Sequence, residues 1–347
     1  MKRFLIMVIT AFLMAMPVHA MDITAPEVPE SGEALLRGQP ETFSEGLWAL
    51  FKEAVALLEP SLADASGVCL QIAAMAVLVS VVKLLPGTSS DTVELIGVIA
   101  AAAAMLQPAG TLIHAAADTV RELSEYGKLL IPVMTAALAA HGGLSASTAL
   151  YTGTVIFDAV LSSLISNVIV PAVYIFLCLG VASCALDAQM TEKLKGFVKW
   201  LMTWMLKIVL YVFTGFIAIT GVVSGSVDAT ALKATKLTIS GAVPVVGGIL
   251  SDASEAVLVS AGVMKNAAGV YGLLAILAVW AGPFLRIGAQ YLLLKGTGAF
   301  CGTMDARRLG KTVQDFASGM GLLLAMTGAV CLFLMISVVC FMRGGYQ

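Results

Sequence analysis

Residues 129–186 read LLIPVMTAALAAHGGLSASTALYTGTVIF, then Asp158, then AVLSSLISNVIVPAVYIFLCLGVASCAL: runs of 29 and 28 residues without Asp, Glu, Lys or Arg, on either side of one carboxylate. A helix crosses the hydrocarbon of a bilayer in about 20 apolar residues, so this stretch predicts membrane-spanning helices. The same pattern repeats outward from it. Ala65–Val82, Leu95–Ile113, Ile208–Val227, Asn266–Leu285 and Phe316–Met342 are also free of those four residue types. The whole chain of 347 residues is 59% hydrophobic and 12% charged, with a mean hydropathy of +0.95, which is too little charge to clothe a water-facing surface. The predicted fold class is therefore all-α: a polytopic transmembrane helical bundle.

The N-terminus has a different pattern. Lys2 and Arg3 precede a short apolar run, Phe4 to Met16, which ends at Pro17 and the small-residue site Val18-His19-Ala20. This predicts a signal peptide over 1–20, whose removal would take the formal net charge from −2 to −4 by the loss of Lys2 and Arg3. Such a balance gives no basis for nucleic-acid binding. Residues 21–64 are expected to form an extracytoplasmic leader: an exposed, Pro-, Glu-, Gly- and Ser-rich stretch to residue 44, then an amphipathic helix from Glu45 to Glu59 with Leu47, Leu50, Phe51, Ala54, Leu57 and Leu58 on one face. Residues 65–128 are expected to hold two spans and, from Ala115 to Lys128, a polar helix-like linker carrying Asp118, Arg121, Glu122 and Glu125 that forms a solvated connection.

The remainder looks like two membrane units, 129–227 and 228–347, related by an offset of about 112 residues. Pro132 and Pro244 keep it, as do Pro171 and Pro283, Leu138 and Leu250, Leu161 and Leu273, and Ile175 and Ile287. Each second proline is followed by an apolar half, a basic stretch (Lys193, Lys195, Lys199; Arg307, Arg308, Lys311) and a closing span. With turns near Tyr151, Pro171 and Asp187, each unit has four crossings, the chain has ten, and both basic stretches face the cytoplasm. If the Pro132 and Pro244 segments are instead re-entrant, or the Pro171 and Pro283 helices merely kink, each unit has an odd count, the repeats are inverted and the chain has as few as eight crossings. Trp200 and Trp204, flanked by Lys199 and Lys207, read as interface anchors.

Catalysis lacks a sequence basis. Gly310-Lys311-Thr312 invites a phosphate-loop reading, but Asp305 stands where the first glycine must be. Metal-protease and esterase motifs are absent, and the cysteines lie almost entirely in apolar runs. The expectation is no enzyme, no cofactor and no metal. Polar groups within the spans remain as pathway or packing candidates, because an ionisable side chain there is costly unless paired or hydrated. Asp158 either serves a polar path or starts a helix at the interface, and Arg286 either lines such a path or snorkels. The hydroxyls of 145–166 with Asn167 face a hydrated cavity or bond neighbouring helices. Interrupted apolar segments at corresponding places in two halves are the further candidates: Gly142 and Gly143 after Pro132, and Gly247, Gly248 and Asp252 after Pro244. Their glycines also suit plain close packing.

The motifs Phe213-Thr-Gly-Phe216, Val222-Val-Ser-Gly225, Ala231-Leu-Lys-Ala-Thr-Lys236, Val243-Pro-Val-Val-Gly-Gly248, Leu250-Ser-Asp252 and Lys265-Asn-Ala-Ala-Gly269 resemble the stage III sporulation protein AE family of endospore-forming bacteria. The likeness runs from about residue 33 to 345. It implies a subunit of a multiprotein channel in the mother-cell membrane around the engulfed forespore. It further implies work alongside the other stage III AA to AH proteins, a cytoplasmic ATPase among them, and stage II protein Q across the intermembrane space. The resemblance brings no catalytic residues with it. The expected function is a channel-core or permease-like subunit, with a self-sufficient secondary transporter or a structural scaffold of the same complex as alternatives.

Overall fold

The computed structural model describes residues 26–33, 43–86, 89–141, 144–186, 189–242 and 247–343, with side chains described within these outside 30–31 and 221–265. The described residues are helical, with no strand among them. A short turn of helix, α1 (Glu30–Glu33), precedes long rods: α2 (Phe43–Lys83), α3 (Ser90–Ala140), α4 (Leu144–Leu164), α5 (Val170–Leu186), α6 (Gln189–Ala242), α7 (Gly247–Thr303) and α8 (Arg307–Arg343). Among the described residues, six rods, counting α4 and α5 as one from Leu144 to Ala185, are long and apolar enough to cross a membrane.

Among the described residues this is fewer than the eight to ten crossings expected from sequence, and in the first unit the reason is local. No turn forms at Tyr151, where Gly153 leaves room within α4 for the ring of Phe216 to pack against its backbone. No turn forms at Pro171 either. Proline has no N–H to give the carbonyl four residues back, and a π-helical turn, Ile165–Ile169, absorbs the defect: the Val170 N–H donates to the Ile165 carbonyl five residues earlier and the rod continues. Pro60, Pro108, Pro132 and Pro283 likewise sit inside continuous helices. Elements end and begin instead at Ala140 and Leu144 and at Ala242 and Gly247. Gly142, Gly143 and Pro244 lie outside the described residues. Gly247, Gly248 and Asp252 belong to the first turns of α7, where only the backbone is described.

Two further expectations are revised. Residues 115–128 are not a solvated linker but the middle of α3, because Val120, Leu123, Tyr126 and Gly127 recur at helical spacing and are buried while Asp118, Arg121 and Glu125 face out. The leader is not wholly exposed: α1 packs on α7, with Gly32 buried. A Cβ on Gly32 would lie 3.0 Å from the backbone nitrogen of Val279, so only glycine lets the two backbones approach this closely. Val28 and Leu50 join Leu274 and Ala278 in a small apolar cluster there. The amphipathic segment is present but continues through Pro60 into the first span, and Leu50 alone of its expected face is fully buried, while Leu47, Trp48, Phe51 and Leu58 are exposed.

The core centres on α8, which packs chiefly on α7 and α3. Phe213 of α6 meets Phe157 of α4 at a ring-centroid distance of 5.2 Å and Phe333 of α8 at 4.4 Å. Within lipid such contacts act through fit and dispersion rather than through exclusion of water. Three hairpin ends share one end of the bundle. Ser80 donates to the carbonyl of Met304, and Lys311 on α8 reaches Glu192 on α6 at 2.9 Å, so the two basic stretches lie side by side. Reporter fusions at 87–88, 187–188 and 304–306 are therefore expected to read cytoplasm and fusions at 142–143 and after 343 the opposite side; opposite signs at 187 and 304 would contradict this arrangement.

Candidate functional site

Three polar groupings interrupt the apolar bundle. The first is the ionic girdle at the hairpin ends. Lys83, at the end of α2, pairs with Glu94 of α3 and donates to the carbonyl of Asp305 at 2.6 Å. Arg308 reaches Asp91 at 3.2 Å and Glu94 at 3.6 Å. Asp305 takes the tight α7–α8 turn with φ of 56°, a left-handed conformation that Asp tolerates better than most residues. Deeper in, the Lys195 ammonium donates to both carboxylate oxygens of Asp315, at 2.9 and 2.8 Å, and to Glu192 at 3.0 Å. Lys195 and Asp315 are 5% and 9% exposed, so water contributes little to holding either charge.

The second grouping is Asp158. It is buried at 4% exposure and accepts a hydrogen bond from Ser124 of α3 at 2.6 Å, which places it in the α3–α4 contact rather than at a wet helix start. Several polar side chains of the same stretch bond locally: Ser147 and Thr148 donate to the Leu144 carbonyl, Thr152 to that of Thr148, and Asn167 donates to Ser163. Such back-bonding meets the donor's need without a water path. Pro132 and Pro171 are exposed on their helices and Pro283 is half-buried; none of the three lines the Asp158 contact.

The third grouping is a cleft of about 250 Å³ between α2, α3 and α7, into which Arg286 projects together with Asp64, Gln107 and Gln290. It unites one residue singled out from the sequence with three that were not. The sequence marked them only weakly: Asp64 directly precedes a charge-free run, Gln107 lies inside one, and Gln290 stands one helical turn after Arg286. Lys195–Asp315 was likewise missed as a pair, since 120 residues separate its members.

Comparison with known proteins follows the same line. Residues 36–345 match the family described as Stage III sporulation protein AE. Stage III sporulation protein AE of Bacillus subtilis (strain 168) is 24% identical over 176 residues, which cover 50% of this chain and 44% of that protein. The aligned stretch thus spans less than half of that relative's length. No solved structure matches the chain. With a match over nearly its whole length, this polytopic helical chain belongs to the stage III sporulation protein AE family.

Proposed function

We propose that the chain is a channel-core or permease-like membrane subunit of the mother cell-to-forespore apparatus, resident in the mother-cell membrane around the forespore. In this reading it is not an enzyme and binds no cofactor; a cytoplasmic ATPase among the stage III A-operon proteins supplies the energy. The observation that favours the reading is the two-part build of the α2–α3 hairpin. Its helices have 41 and 51 residues, about 60 and 75 Å at 1.5 Å per residue, against about 30 Å of hydrocarbon. Charge-free halves, 65–82 and 95–113, adjoin the hairpin turn, while Glu45, Lys52, Glu53 and Glu59 of α2 lie beyond the first and Asp118, Arg121, Glu125 and Lys128 of α3 beyond the second, ahead of the charge-free end 129–140. With the basic stretches at the turn end, the charged arms point away from the cytoplasm. They would reach into the intermembrane space, where stage II protein Q would be met. The two proline-bearing hairpins, α4–α5 with α6 and α7 with α8, would then be parallel repeats.

The scaffold alternative is favoured by one observation: Asp158, the strongest candidate for ion coupling, already has its hydrogen-bond partner in Ser124. Deletion of the gene in its spore-forming host is expected to leave engulfed forespores shrunken and late forespore expression silent. An Asp158→Ala copy is expected to restore both, which removes a self-sufficient ion-coupled transporter from contention. Normal sporulation in the deletion strain would refute the assignment to this apparatus altogether.

A further inference from the structure

The cleft between α2, α3 and α7 is polar at a depth where the rest of these helices is not. Asp64 closes the charged arm of α2 immediately before the charge-free run 65–82, Gln107 lies inside the charge-free run 95–113 of α3, and Arg286 follows the run 266–285 of α7. Two of the lining groups are spoken for: Ser61 donates to the Leu57 carbonyl at 2.7 Å and Thr111 to the Gln107 carbonyl at 3.2 Å, so each hydroxyl offers the cleft only an acceptor oxygen. The side chains of Asp64, Gln107, Arg286 and Gln290 make no hydrogen bond or ion pair among the described residues. Gln290 is only 7% exposed, lines the cleft and makes no side-chain hydrogen bond to another described residue. A carboxylate and a guanidinium share the walls yet do not pair. Asp64, Gln107 and Arg286 are exposed beside the buried Gln290, so the walls offer a polar occupant an unpaired anion, an unpaired cation and two carboxamides.

The occupant's chemistry follows from the walls. A guanidinium is matched in shape and charge by phosphate oxygens. A carboxylate accepts N–H bonds from a primary ammonium, which a quaternary ammonium cannot supply. Carboxamides serve either end. The volume of about 250 Å³ is just below the range of drug-sized sites and suits a small headgroup. We propose that this cleft binds a zwitterion carrying a primary ammonium and a phosphate, the ammonium at Asp64 and the phosphate at Arg286. Either an ethanolamine phospholipid or a free phosphate ester of the same kind presents that pair.

The experiment uses the full chain purified in detergent, delipidated and analysed by native mass spectrometry with short-chain phosphatidylethanolamine, phosphatidylcholine and phosphatidylglycerol. The expected order is ethanolamine first, with about a tenfold preference over glycerol, the scale of one hydrogen bond to a charged group. Asp64→Asn and Arg286→Gln each remove the preference; Lys295→Gln, an exposed cation away from the cleft, leaves it intact. O-phosphoethanolamine is then titrated as competitor: displacement of the lipid assigns the site to a soluble ester, and lack of displacement assigns it to the lipid. Intact folding of the Asp64 and Arg286 variants is checked by their unchanged thermal unfolding, with Arg286→Lys, which keeps the cation, expected to retain part of the preference. Equal retention of the ethanolamine and glycerol lipids by the native chain, or a preference that survives both neutral variants, would overturn the proposal.

Discussion

Lys195→Met is expected to lower the unfolding free energy of the detergent-solubilised protein by about 3–5 kcal/mol, the scale for leaving one member of a buried ion pair behind. The direction follows from which partners remain. Both oxygens of Asp315 are held by the Lys195 ammonium alone, and α5 packs directly on the carboxylate: a Cβ at Gly180 would lie 3.0 Å from the Asp315 Cβ. That leaves little space for water to take the place of the ammonium. Asp315→Leu is expected to cost less, because Lys195 keeps Glu192 at 3.0 Å, and Glu192 is itself partly exposed and held by Lys311. The double variant Lys195→Met with Asp315→Leu should recover most of the loss, since apolar replacement of both members of a buried pair is often close to neutral. Thermal unfolding of the four proteins in one detergent reads all of this. A double variant as weak as Lys195→Met would mean that the pair contributes through geometry it imposes on α6 rather than through charge compensation.

Much of this bundle can be read from the chain because bilayer spans announce themselves by the absence of charge. The runs 65–82 and 95–113 are found where they were expected, at the paired halves of α2 and α3. Punctuation was the harder part. Pro171 looks like a turn in sequence, but an apolar rod loses a donor more cheaply by opening one π-helical turn than by breaking. Gly153 looks like a weak point and is instead the slot for Phe216. The charged patch at 115–128 reads as a helix-like but solvated connection, yet one face of it is core: Thr119, Leu123, Tyr126 and Leu130 face in, and Arg121 and Glu125 bond one another on the outside at 3.2 Å.

The candidate sites were legible only as single residues. Asp158 stands out because nothing charged surrounds it, yet its meaning lies in Ser124, 34 residues away, which carries no signal of its own among ordinary helical serines. Arg286 stands out for the same reason, and its cleft depends on Asp64 and Gln107 from helices far removed in sequence. The basic stretches were read as a topological marker, and the structure adds acidic partners, Glu94, Glu192 and Asp315, that join three hairpins at one end. Surface members of that girdle such as Arg307 with Asp305 at 3.6 Å are worth little each. The buried members carry its energetic weight.

Gly310→Val is expected to abolish accumulation of the protein in the membrane, whereas Gly296→Ala, fourteen residues away in sequence, is expected to stabilise it. The two glycines differ in what a side chain would meet. At Gly310 a Cβ would stand 3.0 Å from the Gly298 carbonyl oxygen and 3.3 Å from the Cys301 Cβ, and at Gly298 it would stand 3.3 Å from the Gly310 carbonyl oxygen. Here the backbones of α7 and α8 touch through reciprocal glycines just beyond the tight turn at Asp305, and a carbonyl cannot rotate aside as a side chain can. Overpacking costs about 1–3 kcal/mol where neighbours can yield. With backbone on both sides, relief requires spreading the hairpin that ties α7 to the central helix. At Gly296 a Cβ has nothing within 4 Å, so alanine would meet open space, and its higher helix propensity adds about 0.5–1 kcal/mol. Membrane fractions and detergent unfolding midpoints of the two variants, compared with Gly298→Ala as an intermediate case, test the argument. Normal accumulation of Gly310→Val would mean that α7 and α8 do not approach as closely in the bilayer as they do here.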